Sequence, residues 1–250
     1  MKNTLLILIS FTGLSCWSQP PENEQEIEEE RPMVFDVAPN QGHSNAKSGL
    51  FVELYYGTQL PRTKGEYLNN KKIGKWVEYF KNGRIKSVEH YVDDQRDGLY
   101  NMFWDNGVLQ REGYFVKGLR QGKWTSYHSG GELEVNYNYV DNMMQGECLV
   151  YYRSGKLEIK QFYVNHLLEG EWVKYHENGS VWGKGIYKNG LKQGEWFTYF
   201  KNGNLYLKGN HIDDRKEGVW VRYHSNGKES GVENYSNGKR NGSFLTYYEN

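Results

Sequence analysis

Glycine stands at positions 74, 98, 122, 146, 170, 194, 218 and 242, each 24 residues after the last and with no insertion to break the register. Such a period means one supersecondary unit used many times, each copy relying on its neighbours for a core. Two residues after each glycine come Trp76, Tyr100, Trp124, Cys148, Trp172, Trp196, Trp220 and Phe244. Five residues after it come Tyr79, Phe103, Tyr127, Tyr151, Tyr175, Tyr199, Tyr223 and Tyr247. Nine after it a second glycine recurs at Gly83, Gly107, Gly131, Gly155, Gly179, Gly203 and Gly227, usually preceded by Asn. An aliphatic residue follows, as at Ile85, Leu109 and Leu157, and then an aromatic at Tyr91, Phe115, Tyr139, Tyr163, Tyr187 and Tyr235, with His211 as the exception.

The unit G-x-W-x-x-Y … N-G-x-L … Y-V reads as a β-hairpin. Asn-Gly tolerates the positive φ that tight hairpin turns require, and the residues on either side alternate as half-buried strands do. Trp76, Glu78 and Phe80 fall on one side, and Val77, Tyr79 and Ile85 on the other. The stretch from Asp93 to Asp97 reads as a polar connection to the next hairpin, with equivalents beginning at Asp141, Asn165, Asn189, Asp213 and Asn237. The expected fold is therefore all-β: an elongated, twisted antiparallel array of 24-residue hairpins over residues 74–250, seven full units and a partial one. A degenerate capping copy is expected over 48–73, where Tyr55 and Tyr67 keep the phase. The sequence stops at Asn250 before the second strand of the last unit, so either it is cut short there or a bare edge strand, open to self-association, is expected to end the array. With 21 Tyr, 10 Phe and 8 Trp, rings rather than aliphatics must seal so thin a sheet.

The first residues read as an address. Lys2 precedes the apolar run Leu5 to Ile9, and smaller residues follow; this describes a secretory signal over 1–18, cleaved between Ser18 and Gln19. Attachment of lipid at Cys16 is the alternative. Residues 19–47 carry Glu22, Glu24, Glu26, Glu28, Glu29, Glu30 and Asp36 among four prolines, so an acidic, disordered tether is expected there. The protein is then periplasmic or secreted, or a membrane-anchored lipoprotein.

No reaction chemistry is legible. His128, His176 and His224 share one repeat position, but two repeats place successive ones about 19 Å apart, too far to share a metal. Cys148 takes a tryptophan's place and reads as a packed small side chain. Asp93-Asp94 and Asp213-Asp214 are turn residues. Catalysis needs unlike groups converging at one place, whereas this chain spaces like groups evenly; a non-enzyme without cofactor or metal is expected. With 31 basic against 31 acidic residues, no nucleic-acid partner is implied. Binding is what is left. The candidate stripe is Trp76, Phe80, Trp104, Trp124, His128, Trp172, His176, Trp196, Phe200, Trp220 and His224. Polar neighbours such as Glu78 and Arg222 mark that face as the wetter one, suited to a protein segment, or to a glycan stacked on rings; the alternative is that coiling of the sheet covers both faces.

In the phased recurrence of G-x-W-x-x-Y and N-G over roughly residues 50–250, the chain resembles the MORN-repeat variant family of bacterial proteins. The resemblance implies a hairpin ribbon that acts as a binding or scaffold module, with protein partners or membrane surfaces. Members often carry the label of YwqK-type antitoxins, which implies neutralisation of a toxin; the export signal departs from that label. Choline-binding repeats are also short aromatic hairpins, but they typically carry paired Trp-aromatic strings where this unit usually offers one Trp. A binder of cell-wall glycan is the further alternative.

Overall fold

The structure is a computed structural model that describes residues 46–248. The expected signal with Cys16, Ser18 and Gln19, and nearly all of the acidic tether, lie outside the described residues. Within them the chain forms one 21-stranded sheet, without a helix among the described residues. Every pairing is antiparallel and joins segments that follow one another along the chain. The first strands set the pattern: β1 (Gly49–Leu54), β2 (Pro61–Leu68), β3 (Lys71–Tyr79) and β4 (Ile85–Val92). The all-β hairpin array is thus the architecture observed.

Two different turns alternate along the ribbon, one at each margin. At the first, the Gly83 N–H donates to the Phe80 carbonyl at 2.9 Å and the Phe80 N–H to the Arg84 carbonyl at 2.8 Å. Only the glycine of the Asn-Gly pair is left-handed there, with φ 83°. Asn82 instead ties turns together. Its Oδ1 accepts the Arg84 N–H at 3.0 Å, and its Nδ2 donates to the Asp105 carbonyl in the next such turn at 3.1 Å. The same reach to the following turn recurs at Asn106, Asn178 and Asn202.

The second turn corrects the expected five-residue link. Asp93 and Asp94 alone make it, with φ of 49° and 68°, the type I′ geometry whose twist suits a two-residue hairpin. The chain is back in the sheet at Gln95–Arg96, which pairs with Val92 and Tyr91. These turns dock on one another too: Asp94 N–H donates to the Lys72 carbonyl at 3.0 Å, Gly118 N–H to that of Arg96 at 2.7 Å, and Asn142 N–H to that of Arg120 at 3.0 Å. Both margins are therefore stitched repeat to repeat.

The leading glycine marks an irregularity. Lys64 faces Val77 while Glu66 faces Ile73, so Gly74, Lys75 and Trp76 together stand against Gly65 alone. Gly74 has φ 60°, and extra residues of this kind bend a strand and sharpen its twist. In some repeats the irregularity splits the strand, separating Gln95–Arg96 from Gly98–Phe103, which is why more strands are found than a two-per-repeat count suggests. Across β3 and β4, Gly74 faces Tyr91 and Trp76 faces Glu89, while Lys75 faces His90 and Val77 faces Val88. One face thus carries the tryptophans and the position-91 aromatics, and is called the ring face below. The other is the open face.

The core is a ladder of rings one layer thick. Trp76 lies between Tyr67 at 4.9 Å and Tyr91 at 6.2 Å, both edge-on. Phe115, Trp124 and Tyr139 continue it at 5.2 and 5.9 Å, and Trp196, His211 and Trp220 at 5.8 and 5.0 Å. Edge-to-face contacts at these separations add to the burial that large rings supply.

Candidate binding surfaces

Each buried tryptophan rests on a glycine of the preceding strand. A Cβ on Gly65 would lie 2.1 Å from the Trp76 indole; on Gly113, 2.2 Å from Trp124; on Gly185, 2.3 Å from Trp196; and on Gly209, 2.2 Å from Trp220. The absent side chain is the seat of the ring. Eleven residues separate seat and ring in every case, and where the ring is Tyr100, Cys148 or Phe244 the seat holds Glu89, Tyr137 or Glu233 instead. Trp172 is the exception: it faces Gln161 in sequence phase, stays partly exposed, and leans on Trp182 and Trp196 at 6.5 and 5.4 Å.

This corrects the expectation that the tryptophan face is the wetter one. Trp76, Trp124, Trp196 and Trp220 are among the most buried side chains described. They are also covered from above by cations: Lys72 over Trp76 at 4.3 Å, Arg120 over Trp124 at 5.8 Å, Lys192 over Trp196 at 4.5 Å and Lys216 over Trp220 at 4.3 Å. A basic residue stands two before the leading glycine in these repeats and again at Arg96 and Arg240, with Met144 and Leu168 the breaks. Both the seats and the cations obey the period, at positions outside the Gly, Trp, Tyr and Asn-Gly marks that define the motif.

The rest of the expected stripe belongs to a separate row at the Asn-Gly margin. Trp104 Nε1 donates to the Tyr127 carbonyl at 3.1 Å, and Tyr152 OH to that of Tyr175 at 2.6 Å. His176 and His224 reach the carbonyls of Tyr199 and Tyr247 through Nε2 at 3.1 and 2.9 Å, so that nitrogen carries the proton. His128 holds the same place with its Nε2 buried and without a hydrogen-bond partner. Phe80 and Phe200 fill it with rings alone, Phe200 packing on Tyr206 at 5.0 Å. The histidines therefore serve three separate turns. No group of three or more His, Cys, Asp or Glu side chains arranged for a metal occurs among the described residues.

Where a seat is not glycine, charge can fill the space. Glu89 receives the Tyr91 hydroxyl and the Arg96 Nε, the latter at 3.0 Å; burial first, then this carboxylate, push the Tyr91 phenol up to about 12. Glu233 receives Tyr235 at 2.6 Å and Arg240 at 2.9 Å, with Arg222 at 3.1 Å. The Tyr235 hydrogen bond and then the two arginines hold its carboxyl below the usual range, against the opposing effect of burial. Cys148 is buried beside Gln161 Nε2 at 3.7 Å, and burial pushes its thiol up, away from the thiolate a nucleophile needs.

The open face carries the exposed apolar surface. Leu99 is 59% exposed, Phe162 43%, Ile186 52% and Val219 58%, and the register places them all on the side of Lys75 and Val77.

The profile of the MORN repeat variant matches residues 72–93, 96–117, 144–165, 168–189 and 192–213. No curated protein matches the chain. Among solved structures, a chain in the crystal structure of TcdB2-TccC3-Cdc42 is similar at 11% identity over 79% of this chain, with a TM-score of 0.19. This chain spans only 14% of that one's length, and so low a TM-score carries no argument. Five profile matches in phase, on the hairpins, turns and ring ladder described above, place the chain in the MORN-repeat variant family.

Proposed function

We propose that this chain is a non-catalytic, exported repeat protein that serves as a binding scaffold, taking a protein partner from the cell envelope on its open face. The observation that carries the reading is the row of exposed apolar side chains Leu99, Phe162, Ile186 and Val219 on one face of a single-layer sheet. The four stand on separate strands but share one face, which suits a partner laid along the ribbon. MORN-type repeats are in general non-enzymatic, and scaffold roles are common among them, which fits the even spacing of like residues. Export rests on Lys2 and the apolar run Leu5 to Ile9. Toxin neutralisation, as the YwqK label implies, would be the same physical act with a toxin as the partner, and export weighs against it.

The test pairs two measurements. The triple variant Leu99→Ser, Phe162→Ser, Ile186→Ser is expected to melt as the parent does and to lose a partner that the parent retains from envelope extracts. An unchanged partner set would sink the open-face reading. Fractionation with intact mass should find a chain beginning at Gln19, or lipid on Cys16, outside the cytoplasm; a cytoplasmic chain beginning at Met1 would reject export and favour the antitoxin reading.

A further inference from the structure

At the type I′ margin of the ring face lies a shallow, open hollow of about 520 Å³, lined among others by Lys72, Tyr91, Asp94, Arg96 and Lys117. Three of the eight lining residues are cations. Asp94 is engaged, its Oδ1 accepting the Lys72 backbone N–H at 2.7 Å. Arg96 turns Nε and Nη2 to Glu89, and with the Phe115 ring 5.5 Å below it the guanidinium is held in place. The Lys72 ammonium lies over rings, those of Trp76 and Tyr91 at 4.3 and 4.9 Å.

Lys117 breaks a local rule to be there. The first residue of the type I′ turn is left-handed in every repeat, and elsewhere it is Asn69, Asp93, Asp141, Asn165, Asn189, Asp213 or Asn237, types that tolerate the conformation. Lys117 has φ 48° and no such tolerance. A residue that costs stability at its own position marks a place where something other than folding is served.

The geometry points to a rail for an acidic polypeptide segment in the polyproline II conformation. Lys72, Arg96 and Arg120 sit in the same place on every second strand of a continuous sheet, so successive cations are about 10 Å apart. A polyproline II chain brings every third side chain back to the same side after about 9 Å, so Asp or Glu at every third residue would meet each cation in turn. Lys117 stands between the second and third of them. The Tyr91 ring offers the apolar ridge that such a helix packs against. An extended acidic segment is favoured over a single small anion because the cations are spread along the sheet at about 10 Å rather than gathered at one point. The site lies on the face opposite Leu99 and Ile186, so it stands or falls apart from the open-face reading.

The test uses the full chain and a labelled peptide of four Glu-Pro-Pro repeats, with binding followed by anisotropy at low salt. Two further peptides share its length, one with Gln for Glu and one with the same residues but the glutamates adjacent. The regularly spaced Glu peptide is expected to bind best and to weaken as salt rises. Lys117→Asn puts into the turn the residue its counterparts use, so its melting temperature should equal or exceed the parent's while peptide binding falls about three- to fivefold, the scale of one partly exposed charge pair. Adding Lys72→Met, which keeps an alkyl chain over Trp76, should deepen the loss. Unchanged binding by Lys117→Asn overturns the proposal, and so does equal binding of the adjacent-Glu peptide. Tighter binding of inorganic phosphate or of vesicles rich in anionic lipid than of the spaced peptide overturns it as well.

Discussion

The indole of Trp124 occupies the space where Gly113 would carry a side chain, since a Cβ there would meet the ring at 2.2 Å. Seat and ring lie on adjacent strands, eleven residues apart, and the relation recurs at Gly65 with Trp76, Gly185 with Trp196 and Gly209 with Trp220. The regular spacing of the tryptophans is thus half of a two-residue device, and the absence of a side chain is its other half.

Gly113→Ala should destabilise the protein by about 1–3 kcal/mol, the usual cost of overpacking a filled site. Urea denaturation would show it as a lower midpoint with the same slope. Combining it with Trp124→Tyr, which approaches the Glu89–Tyr100 rung, should recover part of the loss, because contacting residues are not additive. Strict additivity would mean that ring and seat are uncoupled.

The converse change is available at Cys148, whose seat position holds Tyr137. Cys148→Trp alone should cost about 1–3 kcal/mol through overpacking. Paired with Tyr137→Gly it should regain most of that, since the pair would restore the seat and ring of the other rungs. Equal midpoints for the single and double variants would refute the pairing.

The asparagine reach between turns predicts a graded pair of effects. Asn106→Ala removes the bond to the Ser129 carbonyl at 2.8 Å and the acceptor for the Val108 N–H at 3.0 Å, and should cost about 1 kcal/mol. Asn202→Ala should cost less, because Asn204 Nδ2 still reaches the same Ser225 carbonyl at 2.8 Å. A reversed order in thermal melts would argue against the ladder.

His211 replaces a tyrosine in the ring ladder and is only 8% exposed. Burial first, and then the Lys192 and Lys216 charges, push its imidazole down to about 4. Between that value and the ordinary 6.5 the unfolded chain binds a proton that the folded one does not, so stability rises with pH across this window. The contribution is full above about 6.5 and is lost as pH falls toward 4. His211→Tyr should flatten the melting temperature over that range relative to the parent, and a parent profile with no slope there would contradict the shift.

Most of the architecture is legible in the chain because it is local. Positive φ at Gly83 and alternation along β3 each follow from a few adjacent residues, and the uninterrupted 24-residue period repeats them along the chain. The turns are legible only in part. Asn82 has the composition of a left-handed turn residue, yet Gly83 alone takes that conformation. Asp93 to Asp97 has the polarity of a five-residue link, yet two residues complete it, because identity alone does not show where the ladder resumes.

The faces are not legible in the same way. Polar Glu78 and Arg222 beside the tryptophans suggest water, yet Trp76 and Trp220 are buried while Leu99 and Ile186 stand open. Alternation says that a strand has two faces, but it does not say which one is covered. Cover comes from Gly65 or Gly209 on the neighbouring strand, from Lys72 or Lys216 above the rings, and from rungs a full repeat away. Repeat, hairpin and family follow from the order of residues alone, since they rest on φ preferences and spacing within a single unit. Which face is core, and where the cations gather, follows from the assembled sheet, since burial is a property of neighbours brought together by register.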